Sequence, residues 1–181
     1  MIKDIVIVDN VFDDPSKIIQ MANELSFENP NSFRDNWKGV RTKELISVDQ
    51  EKYSSLLTNS ISKSLKQTYG DGYFRIEYDL QAEMYFHKLI KTDVYENSWR
   101  HIDEHSIFAG IVYLNENSNK FKTFGTTILK QNETIEIENV FNRLVLYRAD
   151  YMHWSNGGFG DDLENARLTL NIFINKISFV V

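Results

Sequence analysis

The four histidines of the chain are His87, His101, His105 and His153, and there is no cysteine. Two of them fall in the run Trp99-Arg100-His101-Ile102-Asp103-Glu104-His105, which sets two imidazoles and two carboxylates within five residues. What this run can do depends on its backbone. Wound as a helix it reads His-x-x-Glu-His: His101 and His105 share a face and could bind zinc, with Glu104 as general base, as in an inverted zinc metallopeptidase. Extended, it turns His101 and Asp103 to one side and offers a metal one imidazole and one carboxylate. The flanks favour the extended form, because neither Asp93-Val94-Tyr95 nor the stretch from Ile107 to Leu114 carries a helical stripe. Glu104 then faces solvent, and His105 shares the side of His101 and Asp103. His87 reads as a structural histidine on a strand.

An extended His101/Asp103 pair asks for a second histidine from elsewhere. Fe(II) in a facial triad takes two imidazoles and one carboxylate and keeps its opposite positions open. His153, 52 residues after His101, is the candidate; it follows the apolar run Arg143-Leu144-Val145-Leu146-Tyr147 and precedes the loop Asn156-Gly157-Gly158-Phe159-Gly160. Next comes Ala166-Arg167-Leu168-Thr169-Leu170-Asn171-Ile172-Phe173-Ile174, which alternates strictly: Arg167, Thr169 and Asn171 on one side, Leu168, Leu170 and Ile172 toward a core. A guanidinium pointing inward beside a metal histidine needs an anion, because an unpaired buried charge is costly. A bound dicarboxylate would supply one, held by the fork of the arginine. Two plainer readings compete: a polar cluster with no metal, and an Arg167 paired with Asp161, Asp162 or Glu164. Trp99, Tyr151 and Trp154 flank the proposed ligands and read as core, with a substrate-pocket wall as the alternative.

The elements that must position these residues follow from the rest of the chain. Its 181 residues suit one domain, 1–181, of ordinary size, and 42% apolar with 25% charged residues is a globular balance. Twenty basic against 26 acidic residues give a net charge of −6, which argues against a nucleic-acid partner. The lack of cysteine excludes a disulfide scaffold, a thiolate zinc site, an iron–sulfur cluster and a cysteine nucleophile. Neither a signal peptide nor the roughly 20 apolar residues of a membrane span is present, so a soluble cytoplasmic protein is expected. Asp14 and Pro15 open a helix with an Ile18, Ile19, Ala22, Leu25 stripe. A second helix, from about Asp49 to Tyr69, repeats Tyr53, Leu57, Ile61, Leu65 and Tyr69. Strands are expected at 2–9, 73–87, 93–101, 107–114, 123–129, 134–138, 143–148 and 166–176, and only strands after the second helix. Early helices and late strands predict an α+β domain, a sandwich or barrel with the helices packed on one face.

His101-Ile102-Asp103, Tyr113-Leu114-Asn115, Phe124-Gly125-Thr126-Thr127, Arg143-Leu144-Val145-Leu146-Tyr147, His153 and Arg167-Leu168-Thr169-Leu170-Asn171-Ile172-Phe173 occur in this order over residues 101–173. This series resembles the Fe(II)/2-oxoglutarate-dependent dioxygenases, especially the prolyl-hydroxylase-like branch and its small phage-type relatives. The opening Val6-Ile7-Val8-Asp9-Asn10-Val11-Phe12 looks like the start common in that branch. The 14 residues from His153 to Arg167 exceed the gap usual there, and the glycine-rich loop can absorb the excess. The resemblance implies a double-stranded β-helix (jelly-roll), with iron held by His101, Asp103 and His153. It implies that Arg167 binds the distal carboxylate of 2-oxoglutarate with help from Tyr113, with Thr169 and Tyr85 as further cosubstrate contacts. The implied cofactors are Fe(II), 2-oxoglutarate and O2. The implied reaction is oxidative decarboxylation coupled to hydroxylation of an unidentified substrate: a peptide, an amino acid or a small metabolite. Two alternatives remain: a catalytically inactive jelly-roll binding domain, and the zinc peptidase, which needs a helix at 101–105 and makes no use of Arg167.

Overall fold

The alternating segment that begins at Arg167 becomes a thirteen-residue strand, β9 (Arg167–Phe179), buried on both faces near its start. The computed structural model of the chain describes residues 4–29, 37–69, 78–93, 99–116 and 118–179. Before β9 come β1 (Ile5–Val8), α1 (Pro15–Asn23), β2 (Val40–Arg41), α2 (Leu45–Val48), α3 (Gln50–Tyr69), β3 (Tyr78–Leu89), β4 (Phe108–Tyr113), α4 (Ser118–Phe121), β5 (Thr126–Lys130), β6 (Glu133–Ile137), β7 (Leu144–Arg148) and β8 (Met152–Ser155). The strands form a six-stranded sheet, ordered β1-β7-β4-β9-β3-β2, and a three-stranded sheet, β6-β5-β8, antiparallel throughout. From β4 onward the chain passes to the small sheet for β5 and β6, back for β7, out again for β8 and back for β9. That is the jelly-roll, carried on an α+β chain.

The period of two in β9 sorts its side chains between two cores. Leu168, Leu170, Ile172 and Ile174 pack with Ile18, Met21, Tyr53, Leu57 and Ile61 of α1 and α3, which cover the outer face of the large sheet. Ala109, Tyr113, Val145 and Tyr147 of the large sheet face Ile128 and Ile137 of the small one. The helices start where the chemistry puts them. The Asp14 carboxylate accepts from the Lys17 N–H at 3.1 Å, and Pro15 takes the first helical position. The Glu44 carboxylate accepts from the N–H groups of Ile46 and Ser47 and, at 3.0 Å, from that of Met84, which ties α2 to β3.

Three expectations change, and two more fall partly outside the described residues. Of the strand expected at 93–101, residues 94–98 lie outside the described part, 99–100 are irregular, and His101 makes one isolated bridge to His153. Asp93 is spent on a turn, its carboxylate accepting from the Ile90 N–H at 2.7 Å. The early part of the 73–87 strand, residues 73–77, also lies outside the described part, and β3 runs from Tyr78. One turn of helix, α4, interrupts what was expected to be strands alone. Finally β8, which carries His153, is a strand that patterning does not reveal, because four residues with an exposed Met152 show no alternation. β2 (Val40–Arg41) was not expected either, and the remaining strands sit within a few residues of expectation. Among the described residues no helix is long and apolar enough to cross a membrane.

Asn142 fixes the join between the first strand and the jelly-roll. With φ at 59°, it donates from its amide to the Phe12 carbonyl at 2.8 Å and accepts from the Phe12 N–H at 2.9 Å. Asn142→Ala strands both groups of a buried residue, so we expect a loss of about 3 kcal/mol. The check is the midpoint of urea unfolding at unchanged slope.

Candidate metal centre

His101 and His153 pair through their backbones across the mouth of the jelly-roll, N–H to carbonyl at 3.1 and 2.9 Å. This bridge joins the His101 segment to β8. Two residues further on, the Asp103 N–H donates to the Ala149 carbonyl at 2.9 Å. Those contacts converge the side chains. Asp103 Oδ2 lies 3.3 Å from His153 Nε2, and Asp103 Oδ1 lies 3.7 Å from His101 Nε2. Ligand atoms of the three residues all fall within 4.8 Å of one another.

Each imidazole is turned by the carbonyl two residues before it: His153 Nδ1 donates to the Tyr151 carbonyl at 2.9 Å, and His101 Nδ1 faces that of Trp99 at 3.3 Å. A carbonyl only accepts, so the proton sits on Nδ1 and each Nε2 presents a lone pair to the carboxylate. Burial, reinforced by His153, lowers His101 to about 4, which keeps it neutral. Asp103 Oδ2 is buried with no hydrogen-bond partner. Two nitrogen lone pairs and a buried carboxylate facing one another repel unless a cation lies among them, so the donor set fits a divalent metal of the Fe(II) facial-triad type. Trp99 stacks on His101 at 4.3 Å, and Tyr147 meets His153 edge-on at 4.8 Å, which hold the ring planes.

Beside the triad lies a narrow cavity of about 40 Å³, whose wall includes His101, His153, Thr126, Asn171, His87 and Arg167. Arg167 is 2% exposed. Its Nε donates to the Phe124 carbonyl at 2.8 Å, its Nη2 to the Gly125 carbonyl at 3.3 Å, and its Cζ lies 5.5 Å from the centre of the Tyr113 ring. Gly125 is needed there, because a Cβ would stand 1.7 Å from the Ile137 carbonyl oxygen. No carboxylate lies within 4.0 Å of this guanidinium among the described residues. The loop acids are engaged elsewhere: Asp161 pairs with Lys91, and Asp162 accepts from the N–H groups of Glu164 and Asn165. Burial pulls the Arg167 guanidinium below its usual range, the mark of a cation without its anion.

Not every expected residue reaches this cavity. Tyr113 lies under Arg167, but its hydroxyl donates to Thr126 Oγ1 at 2.8 Å. Thr169 is buried, and its hydroxyl is spent on Asn171 Oδ1 at 2.9 Å, so Asn171 and not Thr169 lines the wall. Tyr85 faces an outer mouth, where its hydroxyl donates to Glu83 at 2.8 Å. The His-x-x-Glu-His helix does not form: Glu104 and His105 occupy a turn and are exposed. Trp154 lines the cavity with Arg100 above its ring at 4.4 Å. The residue most undervalued by sequence reading is His87. It is buried in the cavity wall, bonded to the Lys38 carbonyl and 3.4 Å from Asn171 Nδ2. Its pairing with Thr169 across β3 and β9 makes this possible, and nothing in one sequence reveals that register.

No family model matches the chain, and no curated protein matches it in sequence. Solved structures do match in shape. A prolyl-4-hydroxylase from Pseudomonas putida superposes with a TM-score of 0.59 at 16% identity, over 96% of this chain and 92% of its own. A Trichoplax adhaerens prolyl hydroxylase, solved with a peptide fragment of the hypoxia inducible factor oxygen degradation domain, gives 0.60 at 15%, over 95% and 83%. The non-heme α-ketoglutarate-dependent epimerase SnoN of nogalamycin biosynthesis gives 0.61 at 12%, over 98% and 77%. The chain therefore has the fold of the Fe(II)/2-oxoglutarate oxygenases.

His87 also sets a pH dependence. Burial first, then the charges of Arg41 and Arg167, hold it well below its ordinary 6.5. The unfolded chain takes up this proton near pH 6.5 and the folded chain does not, so stability present above that pH is lost as the pH falls. The melting temperature of the metal-free protein should drop from there toward about pH 5. In His87→Gln the slope should be shallower, though not flat, because His101 behaves in the same way. Melting curves of both proteins over this range are the check.

Proposed function

We propose that residues 1–181 form one Fe(II)/2-oxoglutarate-dependent oxygenase domain, which hydroxylates its substrate. The observation that carries this reading is Arg167, a buried guanidinium with no carboxylate beside it among the described residues, sharing one narrow cavity with His101 and His153, whose ring nitrogens converge with Asp103. His101, Asp103 and His153 would hold the iron. Arg167 would bind the distal carboxylate of 2-oxoglutarate, with Tyr113 beneath the guanidinium and Thr126 in the wall. When bound, iron and 2-oxoglutarate supply O2 activation coupled to decarboxylation, giving succinate and CO2 while a substrate C–H bond is oxidised.

The chain's own part is positioning and exclusion. The Tyr151 and Trp99 carbonyls keep both Nε2 lone pairs turned inward, so the ligands need little rearrangement to bind metal. Tyr147, Trp154 and Phe173 close the cavity sides against water, which strengthens the charge interaction at Arg167. The zinc-peptidase alternative lacks its helix and leaves Arg167 without a task. The bound peptide of the Trichoplax adhaerens neighbour makes a peptide one candidate substrate, beside an amino acid or a small metabolite.

Anaerobic titration of the metal-free protein with Fe(II) and then 2-oxoglutarate should produce the weak visible charge-transfer band of a keto-acid chelate. His153→Ala and Asp103→Ala should lose the band and iron retention while keeping the circular dichroism of the fold. Arg167→Ala should keep iron but raise the 2-oxoglutarate half-saturation about a hundredfold, the cost of removing a charge-assisted fork from a buried carboxylate. Wild-type protein that binds neither iron nor 2-oxoglutarate would be a binding domain on an oxygenase scaffold.

A further inference from the structure

The hydroxyls of three tyrosines differ in what they are free to do. Tyr85 stands at the outer mouth and donates to Glu83. Tyr113 lies beneath the Arg167 guanidinium, and its proton goes to Thr126 Oγ1 at 2.8 Å. Tyr147 lines the cavity that Arg167 shares with His101 and His153. It is 1% exposed, and its ring meets that of His153 edge-on at 4.8 Å. Among the described residues nothing accepts a hydrogen bond from its hydroxyl.

Register puts the phenol there. Tyr147 of β7 pairs with Ala109 of β4, which pairs on its other side with Phe173 of β9, and all three line the cavity. The small side chain of Ala109 separates the two rings. A buried hydroxyl without an acceptor costs free energy, and phenylalanine would fill the same place without that cost. Only an acceptor that enters the cavity removes it. The cation nearby indicates which kind. Tyr147 and Arg167 lie near enough for each to act on the other's charge. Arg167 gives its Nε–H and an Nη2–H to the Phe124 and Gly125 carbonyls, and no carboxylate answers its charge among the described residues. A guanidinium and a free phenol O–H on one cavity wall suit a single carboxylate, which has lone pairs for both.

We infer that the Tyr147 hydroxyl completes the anion site, donating to the 2-oxoglutarate carboxylate that Arg167 holds, while Tyr113 spends its proton on Thr126. This rests on the oxygenase reading and adds to the cosubstrate site a residue that no motif in the sequence marks. Tyr147 is then a specificity residue, favouring keto acids that carry a second carboxylate.

The test uses anaerobic protein loaded with Fe(II) and titrated with 2-oxoglutarate or with 2-oxovalerate, a keto acid of equal chain length that lacks the distal carboxylate. The charge-transfer band reads both. Tyr147→Phe, which keeps the ring and removes the hydroxyl, should raise the 2-oxoglutarate half-saturation about tenfold, as expected for a hydrogen bond to a charged group. The half-saturation of 2-oxovalerate should stay within about twofold. Tyr113→Phe should cost 2-oxoglutarate less than Tyr147→Phe does. Melting curves give a second reading. Without metal or ligand, Tyr147→Phe should melt no lower than wild type, because it removes a buried donor that has no acceptor. With Fe(II) and one fixed concentration of 2-oxoglutarate, wild type should gain more in melting temperature than the variant. Unchanged 2-oxoglutarate binding in Tyr147→Phe, or an equal loss for both keto acids, would overturn the inference and leave the oxygenase reading standing. So would a loss carried by Tyr113→Phe alone. Absence of the band in wild type would remove the oxygenase reading and this inference with it.

Discussion

A guanidinium buried at 2% exposure cannot be placed cheaply, and much of the molecule is arranged around the one that Arg167 carries. Two backbone carbonyls, of Phe124 and Gly125, accept from it, so the start of β5 must come close to the start of β9. That approach leaves no room for a side chain at Gly125. Tyr113 of β4 supplies the aromatic face below, and its hydroxyl is anchored to Thr126 of β5. Strands from both sheets therefore meet at one cation. Carbonyl dipoles solvate the charge without cancelling it, which is why the proposed function gives this guanidinium an anion to bind.

The candidate metal centre obeys a different economy. Its three residues come from an irregular segment and a four-residue strand, joined by one reciprocal pair of backbone hydrogen bonds. The rigidity that a long strand would provide comes instead from local contacts. Each imidazole is aimed by the carbonyl two residues before it, and each is fixed by an aromatic neighbour, Trp99 or Tyr147. The same repeat of ring and carbonyl on both sides leaves two lone pairs and a buried carboxylate oxygen facing inward. Their mutual repulsion is the reason to read the cluster as a cation site and not as a satisfied polar network.

What could be read in the sequence was what depends on period and residue type. The alternation in β9 gave the correct division between Leu168, Leu170, Ile172 and the side of Arg167, because a long strand whose first half carries apolar residues toward the helices and polar ones toward the cavity leaves a clear pattern. The cap at Asp14 and the stripe in α3 were equally local signals. What could not be read depends on register. Thr169 and Asn171 share a face in the sequence, yet the hydroxyl of one is spent on the amide of the other, and only Asn171 reaches the cavity. Tyr85 and His87 also share a face of β3, but His87 lies in the cavity wall and Tyr85 at the outer mouth. Arg41 sits on a two-residue strand whose partners, Glu28 and His87, are 13 and 46 positions away, so no window of sequence could show it.

The long gap between His153 and Arg167, the one departure from the prolyl-hydroxylase-like pattern, has a structural use. Its glycine-rich part folds back over the end of β3, where the Lys91 N–H donates to the Gly160 carbonyl at 3.1 Å. Gly158 passes so near Ile90 that a Cβ would stand 2.2 Å from its carbonyl oxygen. This places Phe159 flat against Phe121 of α4 at 3.8 Å, with Phe124 edge-on to Phe159 at 5.5 Å. The carbonyl of that same Phe124 accepts from Arg167. The added loop thus packs against the residue whose carbonyl holds the arginine, through two stacked rings and a third set edge-on to both. Because a charge interaction strengthens as its surroundings lose water, a longer loop packed at this end would, on the proposed function, tighten the grip of Arg167 on an anion without any change in the residues that touch it.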